Sequence, residues 1–171
     1  MGSSPKIAKV LALALPLWIF YLVFSGNYTA LDLITGAIAA IIASAILVDI
    51  VVEYPSKIVN PVRWGWSIAY AIYYLLVAEV KAHLDVVKRI LHPAMPIKPG
   101  IVRVPYYVKT DYAKVLIADS ITNTPGTVVV DINEDKRILY VHWINVKTTT
   151  PEECREHISK SFEYFAKRMF D

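Results

Sequence analysis

The sequence predicts a two-part membrane protein. An α-helical N-terminal part carries two or three transmembrane helices and a long amphipathic helix. A small C-terminal α/β domain follows, in the order β-α-β-β-α. Three observations carry this reading. Residues 1–96 hold 12 charged side chains and residues 97–171 hold 21, so charge is concentrated in the shorter half. Hydrophobic residues fill 56% of the 171 positions, against roughly 45–50% in ordinary soluble domains. Long apolar runs give way after Pro93, Pro96 and Pro99 to short β-branched runs separated by turn residues, a change from helical to strand-like patterning. The expected divisions are a transmembrane hairpin over 1–62, a long amphipathic or third membrane helix over 63–92, a Pro-rich linker over 93–100 and a cytoplasmic α/β domain over 101–171.

The first apolar run is Val10–Phe24, reaching back to Ile7 if Lys9 snorkels. It lies near the short limit of the roughly 20 residues a spanning helix needs. Pro16 is tolerated at that depth and is expected to kink the helix. Ser25-Gly26-Asn27-Tyr28 reads as a turn. The second run, Leu33–Val48, sits between Asp32 and Asp49, and Gly36, Ala40 and Ser44 recur every four positions on one of its faces. Small residues at that spacing let two helix backbones approach closely in lipid. They predict a tight hairpin packed on itself or on a partner chain. No A-x-A cleavage site follows the first run and a second run comes soon after, so the first reads as an anchor rather than a removed signal peptide. Lys6 and Lys9 precede the first run, Lys57 and Arg63 follow the second, and residues 25–32 hold no Lys or Arg. The bias of positive charge toward the cytoplasm then places both ends of the hairpin, and the domain beyond it, on the cytoplasmic side of the cell membrane.

The third segment, Arg63–Leu91, mixes polarity. Its uncharged stretch, Trp64–Ala78, is 15 residues long. On a helix, Ala69, Ile72, Tyr73, Leu76, Val80, Leu84, Val87 and Leu91 form one apolar stripe, while Ser67, Tyr70, Tyr74, Lys81, Asp85 and Lys88 lie on another face. That pattern suits an amphipathic helix at the membrane interface or against partner helices. The alternative, a third span, would move the domain to the other side.

Pro93, Pro96 and Pro99-Gly100 end that helix and stiffen the linker. Ile101–Val108 is apolar and β-branched, hence a strand, with Pro105 pointing to an edge or a bulge. Asp111 reads as the N-cap of a helix over Tyr112–Ile121. Thr124-Pro125-Gly126 reads as a turn, Thr127–Ile132 as the second strand and Arg137–Ile144 as the third, with Asn133–Lys136 as their hairpin. Thr150-Pro151-Glu152-Glu153 offers an N-cap, Pro at the first helical position and acids in the first turn. A last helix is expected from there to about Met169, giving a three-stranded sheet with two helices on one face.

Several function classes fall away. Net charge is +3, and the back half contributes only +1, so there is no basic footprint for nucleic acid. Cys154 is the single cysteine, which excludes an internal disulfide and a multi-cysteine zinc site; its thiol is the expected handle for labelling the domain. His83, His92, His142 and His157 are scattered, and Cys154 with His157 lacks further ligands, so no metal or cofactor site is expected. No Gly-rich phosphate loop or nucleophile elbow is present. Asp131 and Asp135 read as a strand end and a turn rather than a carboxylate pair, and no catalytic residue is expected. The two runs carry no ionisable side chain at membrane depth, which conduction through this chain would require. Asp32, Asp49 and Glu79 stand at the predicted edges, where water or a partner's pathway would meet them. Gln is absent altogether, which fits the avoidance of thermolabile amides in hyperthermophile proteins.

Two motifs then point to a family. Lys98-Pro99-Gly100-Ile101 enters the α/β domain, and Thr122-Asn123-Thr124-Pro125-Gly126-Thr127 precedes the apolar strand Val128-Val129-Val130-Asp131, followed by Leu139-Tyr140-Val141-His142. With the apolar N-terminal helices before them, these segments resemble the E subunit of the Mrp-type multisubunit Na+/H+ antiporters, with Asn123 standing where that family usually has Leu. The same modules occur inside archaeal membrane-bound hydrogenase and sulfur-reductase complexes. The resemblance implies an accessory subunit whose partners are other membrane subunits, with the ion channels and any redox chemistry in those chains. Physically, Pro125 stops a helix, Gly126 permits a positive φ, and Thr122, Thr124 and Thr127 satisfy free backbone groups, so the segment reads as structural. The rival readings are a peripheral regulatory protein that binds a ligand and a small independent transporter.

Overall fold

The computed structural model describes residues 6–52, 57 and 60–171. They fall into two compact units, Met1–Pro61 and Val62–Asp171.

The first unit is a helical hairpin. Helix α1 spans Lys6–Ser25, with Pro16 inside it, and α2 spans Ala30–Val51. Both are long and apolar enough to cross a membrane, with mean hydropathies of 2.2 and 2.4, and little of either is buried. Gly26, at φ +65°, begins the turn, a conformation open to glycine at little cost. Thr29 then caps α2. Its hydroxyl accepts from the Asp32 N–H, and the Asp32 carboxylate accepts from the Thr29 N–H, a reciprocal pair that satisfies two orphan donors. Gly36, Ala40, Ser44 and Val48 are the buried residues of α2, and Leu13, Val48 and Val52 form the small apolar core, with Val10 and Leu17 packed on it.

All but the first residue of a continuous helical rod belongs to the second unit: α3 (Pro61–Tyr73), a π-helical turn (Tyr74–Ala78) and α4 (Glu79–Leu91). The π-turn explains how the apolar stripe stays on one side. Trp64, Ile68, Ile72, Leu76, Val80 and Leu84 advance in steps of four. In a straight α-helix those five steps drift by about 0.6 of a turn; one extra residue in the π-turn cuts this to about 0.3. Tyr73 leaves the expected stripe. It turns inward with Tyr70, Tyr74 and Ala78 against the domain core.

That core sits on one face of a three-stranded antiparallel sheet of order β1-β3-β2: β1 is Gly100–Pro105, β2 Thr127–Asn133 and β3 Ile138–Trp143. Val102, Val104, Leu139, Val141 and Trp143 meet Ala113, Ile117 and Ile121 of α5 (Asp111–Asn123), Ile158 of α6 (Pro151–Ile158) and Phe162 and Ala166 of α7 (Lys160–Phe170). β2 carries a bulge between Val129 and Asp131.

Four expectations need correction. The strand expected to Val108 ends at Pro105 on the sheet edge, where the ring removes a donor, although Tyr106 and Val108 remain buried. The N-cap of α5 is Thr110, whose hydroxyl accepts from the Ala113 N–H; Asp111 is the first helical residue and pairs with Lys114 at 2.7 Å. The Asp171 carboxylate fixes this frame by accepting from the Lys109 and Thr110 N–H groups and the Thr110 hydroxyl at 3.0–3.1 Å. The single helix expected to Met169 is two, broken at Ser159 (φ −122°, ψ −16°), and the Thr150 side chain makes no cap bond. The break accommodates an Arg155–Glu163 ion pair at 2.8 Å, which a straight helix would spread over about 12 Å of rise. Finally, Cys154 is fully buried and donates to the Thr148 carbonyl at 3.3 Å. Burial raises its pKa, so its thiol is no labelling handle.

Candidate functional site

The segment Thr122–Thr127 lies where α5 ends and β2 begins. A helix end leaves four carbonyls without intrahelical partners, and the threonines meet that need. Thr124 is the C-cap residue; its hydroxyl donates to Ser120 O at 2.7 Å and Ile121 O at 3.1 Å. The Thr127 hydroxyl donates to Ile121 O at 2.7 Å. Pro125 follows the cap, and Gly126 takes φ +97°, the left-handed region that favours glycine. A side chain at Gly126 would stand 3.0 Å from Ile144 Cγ2, and the Gly126 carbonyl accepts from the Ile144 N–H at 2.8 Å. Thr122 faces the other way. Its hydroxyl accepts from the Val129 N–H at 3.2 Å, and the Asp131 carboxylate accepts from the Ile132 N–H at 2.8 Å. Two donors of edge strand β2 are thereby capped by its own chain, which blunts that edge against pairing with another strand.

The same segment clamps the rod. Tyr70 and Ser120 share a short hydroxyl–hydroxyl bond, and Asn123 Nδ2 donates to the Tyr74 hydroxyl at 2.9 Å. Tyr74 in turn donates to the Glu79 carboxylate at 2.5 Å. Residues five apart diverge by about 140° on an α-helix; the π-turn brings these two together. Glu79 also lies 3.2 Å from His83 Nδ1. Asn123, singled out in the sequence only as a departure from Leu, is thus a polar contact to the rod. The signal that points to it is the Tyr70/Tyr74 pair on the rod's polar face. An open groove of about 450 Å³ runs along Tyr70, Tyr74, Leu116, Asp119 and Asn123.

The hairpin's singled-out residues lie in the other unit. Gly36 lies beneath the Tyr21 ring, so close that a Cβ would stand 2.3 Å from Tyr21 Cδ1, and the Ser44 hydroxyl donates to Val10 O at 2.6 Å. Gly36 and Ser44 thus meet α1, and Ala40 between them is buried. Asp32 is in the capping box and Asp49 pairs with Lys6 at 2.9 Å. Among the described residues, no group of three or more His, Cys, Asp or Glu could hold a metal ion.

Sequence reasoning missed one charged cluster. Glu163, 1% exposed, lies between Arg155 at 2.8 Å and Lys167 at 2.5 Å. Burial pushes its carboxyl up, but the bonds from Arg155 and Lys167 outweigh this and hold it below the ordinary glutamate value. Tyr107 covers the cluster, with the Arg155 guanidinium 4.9 Å from its ring centre. The available signal was the four-residue spacing of Glu163 and Lys167. The cluster joins α6 to α7.

Comparison with known proteins gives a consistent result. A family model described as Na+/H+ ion antiporter subunit matches residues 14–169. The Na(+)/H(+) antiporter E subunit of Alkalihalophilus pseudofirmus is 32% identical over 157 residues, covering 92% of this chain and 95% of the relative. The Na(+)/H(+) antiporter E1 subunit of Staphylococcus haemolyticus is 34% identical over 151 residues, 86% of each chain. Among solved structures, a chain of the membrane-bound sulfane sulfur reductase, an archaeal respiratory membrane complex, superposes with TM-score 0.85 at 34% identity over 95% of this chain and 99% of its own.

Proposed function

We propose, from the premise that this chain belongs to the E-subunit family of Na+/H+ antiporters, that it is a non-catalytic accessory membrane component of a cation/proton antiporter module. It supports assembly and ion translocation by other chains. The observation that carries the reading is the end-to-end likeness, at TM-score 0.85, to a chain of a sulfane sulfur reductase complex. It favours a larger respiratory complex, of the sulfur-reductase or membrane-bound hydrogenase type, over a stand-alone antiporter. The chain's own groups fit an accessory role. Asp32, Asp49 and Glu79 are each engaged by a neighbour in the same chain, and the hydroxyls of Thr124 and Thr127 are spent on helix-end carbonyls. The C-terminal domain is cytoplasmic in this reading, because Lys6, Lys9, Lys57 and Arg63 flank the hairpin while its turn holds no Lys or Arg.

The test is purification from the native membrane in mild detergent, with mass spectrometry of what accompanies the chain. Large antiporter-like membrane subunits in stoichiometric amounts are expected, and nickel–iron or iron–sulfur subunits beside them would identify the respiratory setting. Recovery of a lone chain or a homo-oligomer would overturn the proposal.

A further inference from the structure

The outward side of the rod from Pro61 to Leu91 is its least explained surface. Its inner side meets its own unit at points from Arg63 to Arg89. The Arg63 guanidinium donates to Met169 O at 2.6 Å, Trp66 meets Phe165 with ring centres 6.2 Å apart, and Tyr70 bonds Ser120. Farther along, Val86 lies beside Gly126, and Arg89 donates to Pro96 O at 2.8 Å. The outer side exposes Ile68, Ile72, Leu76, Val80, Leu84 and Leu91, with Leu76 at 68% and Leu91 at 77%. From Trp64 to Ala78 there is no charged residue at all. Contiguous apolar surface of this kind marks an interaction site.

We propose that this face lies in the plane of the bilayer surface, with Ile68, Ile72, Leu76, Val80 and Leu84 among the upper acyl chains and the α/β domain held on the water side of the rod. The inference rests on the membrane anchorage assumed in the reading above. Three observations commit the face to lipid. First, an α/β domain held to the rod through Arg63 and Arg89 cannot ride beside a helix through hydrocarbon, since charged groups there are costly; the rod therefore does not span. Second, only nine residues separate Val51 from Pro61, a tether of at most about 35 Å between the second apolar helix and the rod. Third, charges enter the outer side only beyond Val80. There Lys81 and Lys88 are exposed beside Leu84, and Asp85 is neutralised by Arg89 at 2.9 Å through two bonds. Lysine stems of this kind reach headgroups while their methylenes stay in the apolar layer.

The test uses the full chain in vesicles of phosphatidylcholine and phosphatidylglycerol. In a Cys154→Ala background, a nitroxide is placed in turn at Leu76→Cys, Leu84→Cys and, in the β2–β3 hairpin, Lys136→Cys. All three positions are exposed, so the label displaces no core contact; an unchanged thermal midpoint verifies this. Collision with oxygen, which concentrates in lipid, is compared with collision with a water-soluble nickel chelate. The proposal expects oxygen to dominate at 76 and 84 and nickel to dominate at 136. Nickel dominance at 76 and 84 would overturn it, as would protection from both quenchers, the signature of a protein partner or a second copy. Extraction of the chain from the vesicles by alkaline carbonate would instead sink the membrane-anchored reading itself.

Discussion

Gly126→Ala tests whether the Thr-Pro-Gly-Thr segment is a structural device. The backbone at Gly126 has φ +97°, and an L-residue forced left-handed costs about 1–2 kcal/mol. The new methyl would stand 3.0 Å from Ile144 Cγ2 and 3.6 Å from Val86 Cγ2, which adds about 1 kcal/mol of overpacking. The backbone cannot relax freely, because the Gly126 carbonyl is held by the Ile144 N–H at 2.8 Å. Alanine also stiffens the unfolded chain, which returns about 0.5 kcal/mol. The net loss is about 2 kcal/mol. For the 110-residue unit Val62–Asp171 that lowers Tm by about 8 °C, at about 4 °C per kcal/mol. Calorimetry of the purified chain in detergent reads this directly, and it should be run in sodium chloride and in choline chloride at equal ionic strength. A structural turn gives the same loss in both salts. A Tm within about 2 °C of the parent, or a loss confined to sodium, would refute the reasoning, the second by making the threonine hydroxyls ion ligands.

Four further outcomes follow from the same geometry. Glu163→Gln strips the buried acid from Arg155 and Lys167 and should cost about 3 kcal/mol. Because Glu163 titrates below its unfolded value, its contribution is complete above the unfolded pKa and vanishes as pH falls through the folded one. The parent should therefore lose Tm more steeply than the variant as pH drops below about 5. Gly36→Ala should lower the SDS midpoint of hairpin unfolding, and a Tyr21→Ala background should erase most of that effect, since the clash is with the Tyr21 ring. Arg137 sits at φ +53°, so Arg137→Gly should raise stability by about 0.5–1 kcal/mol in a urea melt. An impermeant maleimide should leave buried Cys154 unmodified in intact and lysed cells alike, whereas Lys136→Cys should react only after lysis if the domain is cytoplasmic.

The parts legible in the sequence were those decided by local chemistry. Thr124-Pro125-Gly126-Thr127 forms its turn because the cap, the missing donor and the positive φ are all local requirements. The hairpin Asn133–Lys136 likewise closes on its own side chain, with Asn133 Oδ1 accepting from the Lys136 N–H at 2.9 Å. The misreadings arose where a distant group chose between local equals. Thr110 and Asp111 are both good caps, and Asp171, sixty-one residues from Thr110, selects the first. Pro151–Phe170 has no breaker at Ser159, yet the Arg155–Glu163 pair accompanies a break there. The π-turn had a trace in the four-residue spacing of the apolar stripe, but that spacing also fits a helix that twists around a partner. The backbone over Tyr74–Ala78, where the Glu79 N–H reaches back to Tyr74 O, distinguishes the two.

These assignments bear on where function resides in an accessory chain of this kind. Costly local features of this unit stand at its joints. Glu163 stands where α6 meets α7, Gly126 where α5 meets β2, and Tyr74–Glu79 where α3 meets α4. Asn123–Tyr74 and Arg63–Met169 add two polar ties between the rod and the domain. Asn123→Leu, restoring the family's usual residue, separates rigidity from contact area. It removes the bond to Tyr74 while keeping an apolar side chain in the groove. Amide exchange over Tyr73–Glu79 should quicken in that variant with little change in Tm. An exchange rate equal to the parent's would mean that packing of Tyr70 and Tyr73 on Phe165 already holds the rod without the polar clamp.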